Sequence, residues 1–176
     1  MLFSIVISIV VLQRLIELFV AKRNEKWMLS QGAFEVGATH YPIMVMMHVA
    51  FFVSFLLEVV VLGRTLSPFW ILLLGIFLLT QAARIWCLLS LGKFWNTKII
   101  ILPGAAVVRR GPYKWLRHPN YLIVSIELLT LPLLFDAYFT AILYSLLNVW
   151  MLSVRIPAEE KALKEATNYR ETFSLE

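Results

Sequence analysis

Tyr121-Leu122-Ile123-Val124-Ser125-Ile126-Glu127-Leu128-Leu129-Thr130-Leu131-Pro132-Leu133-Leu134-Phe135-Asp136-Ala137-Tyr138-Phe139 is an apolar run that stops at one aspartate and starts again. Residues 121–135 form its first part and residues 137–155 its second, with Asp136 alone between them. Two apolar helices joined this closely read as a tight helical hairpin. The first is short: at about 1.5 Å per residue its length is about 22 Å, less than the ~30 Å hydrocarbon core of a bilayer. Pro132 is expected to kink its end. A backbone turn at membrane depth needs protein or water around it, so the hairpin should pack against other helices.

Those helices lie upstream. Residues 2–21, 42–62 and 68–91 are apolar runs of spanning length, which makes five transmembrane segments in an all-α fold. The composition agrees: 60% of the 176 residues are hydrophobic, 15% are charged, and the mean hydropathy is +0.79. A soluble domain has about 25% charged residues. The chain reads as one membrane domain over residues 1–176, with an N-terminal helix pair at 2–62 and a functional part at 68–176. The first segment is apolar from its second residue and has no positive flank, so it reads as a retained helix rather than a signal peptide. The single Cys87 excludes an intramolecular disulfide.

The net charge of +5 is an orientation signal here rather than a nucleic-acid footprint. Lys22, Arg23 and Lys26 lie in the loop 22–41. Lys93, Lys98, Arg109, Arg110, Lys114 and Arg117 lie in the loop 92–120. Arg155, Lys161, Lys164 and Arg170 mark the tail that follows, 156–176. The opposite side has only Arg64. By the positive-inside rule the N-terminus is out, and both loops and the C-terminus are in.

Arg14, His48, Arg84 and Glu127 interrupt apolar segments at a common depth of about 9–11 Å from their cytosolic ends. Buried charge in a membrane demands a partner. Arg84 with Glu127 is the expected pair, and with Asn148 they would make either a structural clamp or a substrate-channel wall. Glu58 is expected to reach the outer interface.

The densest chemistry precedes the hairpin, in Gly111-Pro112-Tyr113-Lys114-Trp115-Leu116-Arg117-His118-Pro119-Asn120-Tyr121. Two prolines stiffen this loop, and a stiff loop holds a ligand with little ordering cost. Tyr113, Trp115 and Tyr121 offer ring faces to a purine or a sulfonium cation. His118, beside Arg117, offers an imidazole that can accept or donate a hydrogen bond. A second cluster follows the hairpin: Arg155, Pro157, Glu159 and Glu160, where the fifth segment should end and the chain bend. His40, His48 and His118 lie on different elements, and no metal site is expected. As ordinary membrane-exit charges, Arg117, Arg155, Glu159 and Glu160 would need no function at all.

Together, Gly111-Pro112-Tyr113, a spacer, Arg117-His118-Pro119-x-Tyr121, an apolar hairpin, and Arg155 followed by Glu159-Glu160-x-x-Leu163 resemble the isoprenylcysteine carboxyl methyltransferase family. The pattern is also similar to the related phospholipid N-methyltransferases. Gln81-x-x-Arg84-x-Trp86 and Leu91-Gly92-Lys93-Phe94-Trp95 fit it, so the resemblance covers residues 81–169. It implies S-adenosylmethionine as methyl donor, with S-adenosylhomocysteine as product, at the cytosolic face of a prokaryotic cell membrane. By position it assigns Gly111, Pro112, Tyr113, His118, Pro119, Tyr121, Glu159 and Glu160 to the cofactor. Arg117, Arg155 and Glu160 would carry the reaction, the arginines by orienting an acceptor carboxylate. The acceptor implied is lipophilic, small or prenylated, and comes from the bilayer with a carboxylate or an acidic hydroxyl as nucleophile. Ala166 and Thr167 depart from the family's aromatic-Gly pair, and Thr172 from a later tyrosine. Two alternatives remain from the residues. One is an NADPH-dependent enzyme similar to sterol reductases, and the other is a lipid-binding membrane protein without catalysis.

Overall fold

The computed structural model describes residues 2–173, so the last three residues of the expected tail lie outside it. The order is α1 (Leu2–Ser30), β1 (Phe34–Val36), α2 (Tyr41–Val61), α3 (Trp70–Leu91), β2 (Ile99–Ile101), α4 (Pro119–Leu133), α5 (Tyr138–Ala166) and α6 (Tyr169–Thr172), with 3-10 turns at Gly92–Phe94 and Gly111–Lys114. The fold is nearly all α. Four helices, Leu2–Ser30, Tyr41–Val61, Trp70–Phe94 and Tyr138–Ala166, are long and apolar enough to cross a membrane, and Pro119–Leu133 is a shorter apolar helix. The protein is an integral membrane protein.

Three expectations need correction. The fold is not purely helical, because β1 pairs antiparallel with β2, Phe34 opposite Ile101 and Val36 opposite Ile99. The first helix does not stop near Ala21 but continues to Ser30. The polar residues Lys22–Lys26 mark where apolarity ends, and they are good helix formers with no Gly or Pro among them. The fifth segment does not end at Arg155 either: the tail, expected as a separate helix after a bend, continues it without a break. It runs through Pro157 to Ala166, although an interior proline removes one backbone hydrogen bond.

The described chain divides into two compact units. One holds residues 39–90 and 109–157 and is built from α2, α3, α4 and most of α5. Its helices run antiparallel in pairs. Ser54 and Thr140 share a hydrogen bond of 2.9 Å, and Phe51 meets Tyr144 edge-on at 5.4 Å, which sets α2 against α5. Asn148 Nδ2 donates to Ser125 Oγ at 2.8 Å, which sets α5 against α4. Gln81 and Arg84 reach Glu127, which sets α3 against α4. Glu58 does not reach into water, although Arg64 Nη2 lies 3.6 Å from its carboxylate. It is buried, and its carboxylate accepts from the backbone N–H groups of Phe139 (3.2 Å) and Thr140 (2.8 Å). Those donors belong to the unsatisfied first turn of α5, so a residue of α2 caps another helix and complements its positive end.

The hairpin turn is residues 134–137, between α4 and α5. Pro132 lies inside the last turn of α4, and the backbone N–H groups of Leu134 and Ala137 close the turn onto Thr130 O and Pro132 O. Asp136 is left with φ of 50°, the one non-glycine in the left-handed region among the described residues. Aspartate tolerates that region better than β-branched residues do, and its carboxylate accepts the Tyr138 hydroxyl at 2.8 Å. Asp136→Val should lower the melting temperature of the purified protein, a cost of about 1–2 kcal/mol. Asp136→Gly should leave it nearly unchanged. Equal melting of the two variants would contradict this account of the turn.

The other unit holds residues 2–38, 91–108 and 158–173. Ile99, Ile101 and Ala162 form its core, with Val36, Leu163 and Ala166 packed against them. Asn24 Nδ2 on α1 donates to Trp95 O (2.7 Å) and Gly92 O (3.1 Å), which ties α1 to the chain that follows α3. Lys98 bridges Glu25 on α1 (2.8 Å) and Glu35 on β1 (2.9 Å). The hydrogen bonds to Glu25 and then Glu35 hold its ammonium well above the usual lysine range. With the folded pKa above the unfolded value of about 10.4, the stabilisation is complete at neutral pH. It is lost only as the pH rises through the folded value. Lys98→Met should therefore destabilise by about 1 kcal/mol, equally at pH 7 and pH 9. A penalty that disappears by pH 9 would contradict the assignment.

Candidate functional site

The loop that leads into α4 is fixed from below by α3. Arg110 Nε donates to Ser90 O at 2.6 Å. Gly111 has φ of 56°, and a Cβ there would collide with the side chain of Ser90 and press on Trp86. Glycine is therefore required by close approach as well as by backbone conformation. Pro112 and Tyr113 follow in the 3-10 turn and are buried. Trp115 is exposed and meets Trp86 edge-on at 5.9 Å. Arg117 is exposed, and Pro119 is buried as the first residue of α4, where its missing N–H costs nothing.

His118 caps α4, and its ring stacks on Tyr121 at 5.5 Å, one turn on. The Arg155 guanidinium lies over the same Tyr121 ring at 5.9 Å. Arg155 is only 3% exposed although it comes from near the end of the membrane stretch of α5. A buried guanidinium against an aromatic ring is a cation–π arrangement strengthened by desolvation. The α4–α5 hairpin thus brings together three residues that the sequence places in two separate clusters. Below them, Ser125 Oγ donates to Tyr121 O at 2.9 Å and accepts from Asn148, so Asn148 braces the first turn of α4.

Among the buried polar atoms with no hydrogen-bond partner among the described residues are Asn120 Oδ1, in the first turn of α4, and His40 Nε2, at the head of α2. Burial first, and the charge of Arg155 second, hold the His40 imidazole below its usual value. The sequence weighs His40 only as a metal ligand, with His48 and His118. The signal available was its position directly before Tyr41-Pro42, at the start of an apolar helix on the same side as Arg155.

Deeper in this unit the expected ion pair is present. Arg84 Nη1 meets Glu127 Oε2 at 2.9 Å, both are buried, and Gln81 Nε2 donates to Glu127 Oε1 at 2.7 Å. Two donors on one carboxylate make the buried charge tolerable. Arg14 pairs with Glu17 of its own helix at 2.7 Å, and His48 Nδ1 hydrogen-bonds Met44 O at 2.8 Å.

Glu159 and Glu160 lie in the other unit, after Pro157, where Glu160 accepts from Lys164 Nζ (3.1 Å) and the Tyr169 hydroxyl (3.3 Å). The tail is anchored there by Gly104 N–H to Ala166 O (2.9 Å) and Val107 N–H to Asn168 Oδ1 (2.9 Å). Ala166 thus contributes a backbone acceptor, and Tyr169, buried, contributes its hydroxyl. No group of three or more metal-binding side chains occurs among the described residues.

The isoprenylcysteine carboxyl methyltransferase (ICMT) family matches residues 71–165, which includes α4 and nearly all of α5. The uncharacterized protein YpbQ of Bacillus subtilis is 46% identical over 163 residues, 93% of this chain and 97% of its own. An uncharacterized protein of Haemophilus influenzae is 30% identical over 151 residues, 85% and 88% of the two chains. No solved structure matches the chain.

The Arg84–Glu127 pair sets a stability test. Arg84→Met or Glu127→Leu alone should destabilise by about 3–5 kcal/mol, because each leaves a buried charge unpaired. The double variant should recover much of that loss, read as melting temperature in one detergent. Additive losses would contradict the pairing.

Proposed function

The chain belongs to the isoprenylcysteine carboxyl methyltransferase family, and on that basis we propose that it transfers the methyl group of S-adenosylmethionine to a carboxylate or acidic hydroxyl of a lipophilic acceptor at the cytosolic membrane face. The observation that carries the reading furthest is the buried Arg155 guanidinium against Tyr121 and His118.

The residues of the α4 entrance fit the cofactor. The His118–Tyr121 stack offers a π face for adenine, and Asn120 Oδ1 is a buried acceptor lacking a donor such as an exocyclic amine. Gly111, Pro112, Tyr113 and Pro119 would shape the backbone beside it. Bound there, S-adenosylmethionine supplies an electrophilic methyl carbon. The remaining work is positioning, which contributes most of the rate in an in-line displacement.

Arg155 has the features required to orient an anionic acceptor: it is always charged, desolvated, and held by a ring rather than by solvent. Arg117, exposed on the loop, would approach the same anion. A carboxylate acceptor needs no base, whereas a hydroxyl acceptor does. Arg84, Glu127 and Asn148 would then border the path of the apolar tail. Positive charge in residues 92–120 orients this face to the cytosol. An NADPH-linked reduction has no corresponding support among these residues.

Protein purified in detergent should bind S-adenosylhomocysteine and should label a bacterial lipid extract from methyl-labelled S-adenosylmethionine. Arg155→Gln should lower methyl transfer at least a hundredfold and leave S-adenosylhomocysteine affinity within a few fold. Binding of NADPH but not S-adenosylhomocysteine would contradict the proposal.

A further inference from the structure

The register between α2 and α5 extends beyond the contacts that fix it. Phe51 meets Tyr144, Ser54 bonds Thr140, and Glu58 caps the first turn of α5 at Phe139 and Thr140. Each step toward the start of α2 is therefore matched by a similar step toward the end of α5. Eleven residues back from Phe51 is His40, and eleven forward from Tyr144 is Arg155, the same travel of about 16 Å on both helices. Between them the register sets Met47 opposite Asn148 and Met44 opposite Met151, and Met47, Asn148 and Met151 are all buried. Electrostatic coupling between His40 and Arg155 agrees with this placement.

His40 therefore stands at the end of α2 that faces Arg155, and Arg155 in turn lies on Tyr121 of α4. Its Nε2 is buried and has no hydrogen-bond partner among the described residues. A buried polar atom left without a partner is costly, and such atoms are normally satisfied. At the head of a spanning helix, beside a guanidinium, the missing partner fits a ligand oxygen.

We propose that His40 is an acceptor-contacting residue whose Nε2 hydrogen-bonds the nucleophilic oxygen of the methyl acceptor while Arg155 balances that oxygen's negative charge. The inference rests on the methyltransferase reading and adds to it a residue outside the region that the family matches, residues 71–165. It defines the acceptor as an ionisable oxygen acid presented at the mouth of the α2–α4–α5 group. If that oxygen is already an anion, Nε2–H donates to it. If it is a hydroxyl, its O–H bond breaks and the proton passes to Nε2. The oxygen then bonds the methyl carbon, and the carbon–sulfur bond breaks with its electron pair going to sulfur. A neutral imidazole performs either role.

The test compares wild type, His40→Leu and His40→Gln in nanodiscs, with methyl-labelled S-adenosylmethionine and increasing amounts of a bacterial lipid extract. Melting temperature and S-adenosylhomocysteine affinity are measured on each variant. His40→Leu is expected to bind S-adenosylhomocysteine within twofold of wild type. It should also lower lipid labelling at limiting extract about tenfold or more. Rescue by glutamine, which keeps a donor N–H but is no base, supports contact with an anionic oxygen. Failure of that rescue supports proton transfer from a hydroxyl. His40→Leu labelling lipid with wild-type rate and half-saturation would overturn the inference and leave the methyltransferase reading intact. A wild type that neither binds S-adenosylhomocysteine nor labels lipid would overturn both.

Discussion

Arg155 carries a permanent charge and is almost fully buried on a helix that continues from the apolar stretch. A guanidinium is tolerated there only if its surroundings compensate for lost water. Tyr121 supplies part of that compensation, which requires α4 to turn back on α5 within residues 134–137. That turn depends on Pro132, Asp136 and the capping of α5 by Glu58. Glu58 in turn fixes the register of α2 against α5, and that register sets His40 level with Arg155. The position of one buried cation is thus tied to a chain of local constraints that ends three helices away.

The same logic separates what is structural from what is available for chemistry. Arg84 and Glu127 neutralise each other, and Gln81 completes the carboxylate, so this pair is consumed by helix packing. Asn148 is consumed in the same sense by Ser125. On the side of Arg155, two polar atoms on helix starts, Asn120 Oδ1 and His40 Nε2, are buried without partners among the described residues, as is Gln81 Oε1 beside the ion pair. Polar atoms in that state are a better guide to a ligand than charge alone, since charge at a membrane exit has an orienting role by default.

Much of this was legible in the residues. Apolar runs and the lone Asp136 locate the helices and the hairpin, and the shared depth of Arg84 and Glu127 anticipates their ion pair. The errors have one physical origin: hydropathy reports where lipid ends, and a helix does not have to end there. Lys22–Lys26 are polar and helical, so α1 extends past its apolar part, and the helical tail continues α5 through Pro157 instead of starting after a bend. The β1–β2 pair escaped notice because each strand has three residues and its partner is more than sixty positions away. Glu58 was misread because a carboxylate near a helix end ordinarily reaches water. Here it meets the unsatisfied N–H groups of a different helix. His40 was missed because its significance lies in a register between α2 and α5 that no local pattern encodes.

The central claim is that the start of α4, with Arg155 beside it, forms the methyl-donor and acceptor site of a membrane methyltransferase. Ultraviolet cross-linking of labelled S-adenosylmethionine to the purified protein, followed by peptide mapping, tests it most directly. The account predicts saturable labelling, blocked by S-adenosylhomocysteine, in the peptide that contains His118 and Tyr121. Saturable labelling confined to peptides from α1, or no saturable labelling at all, would contradict it.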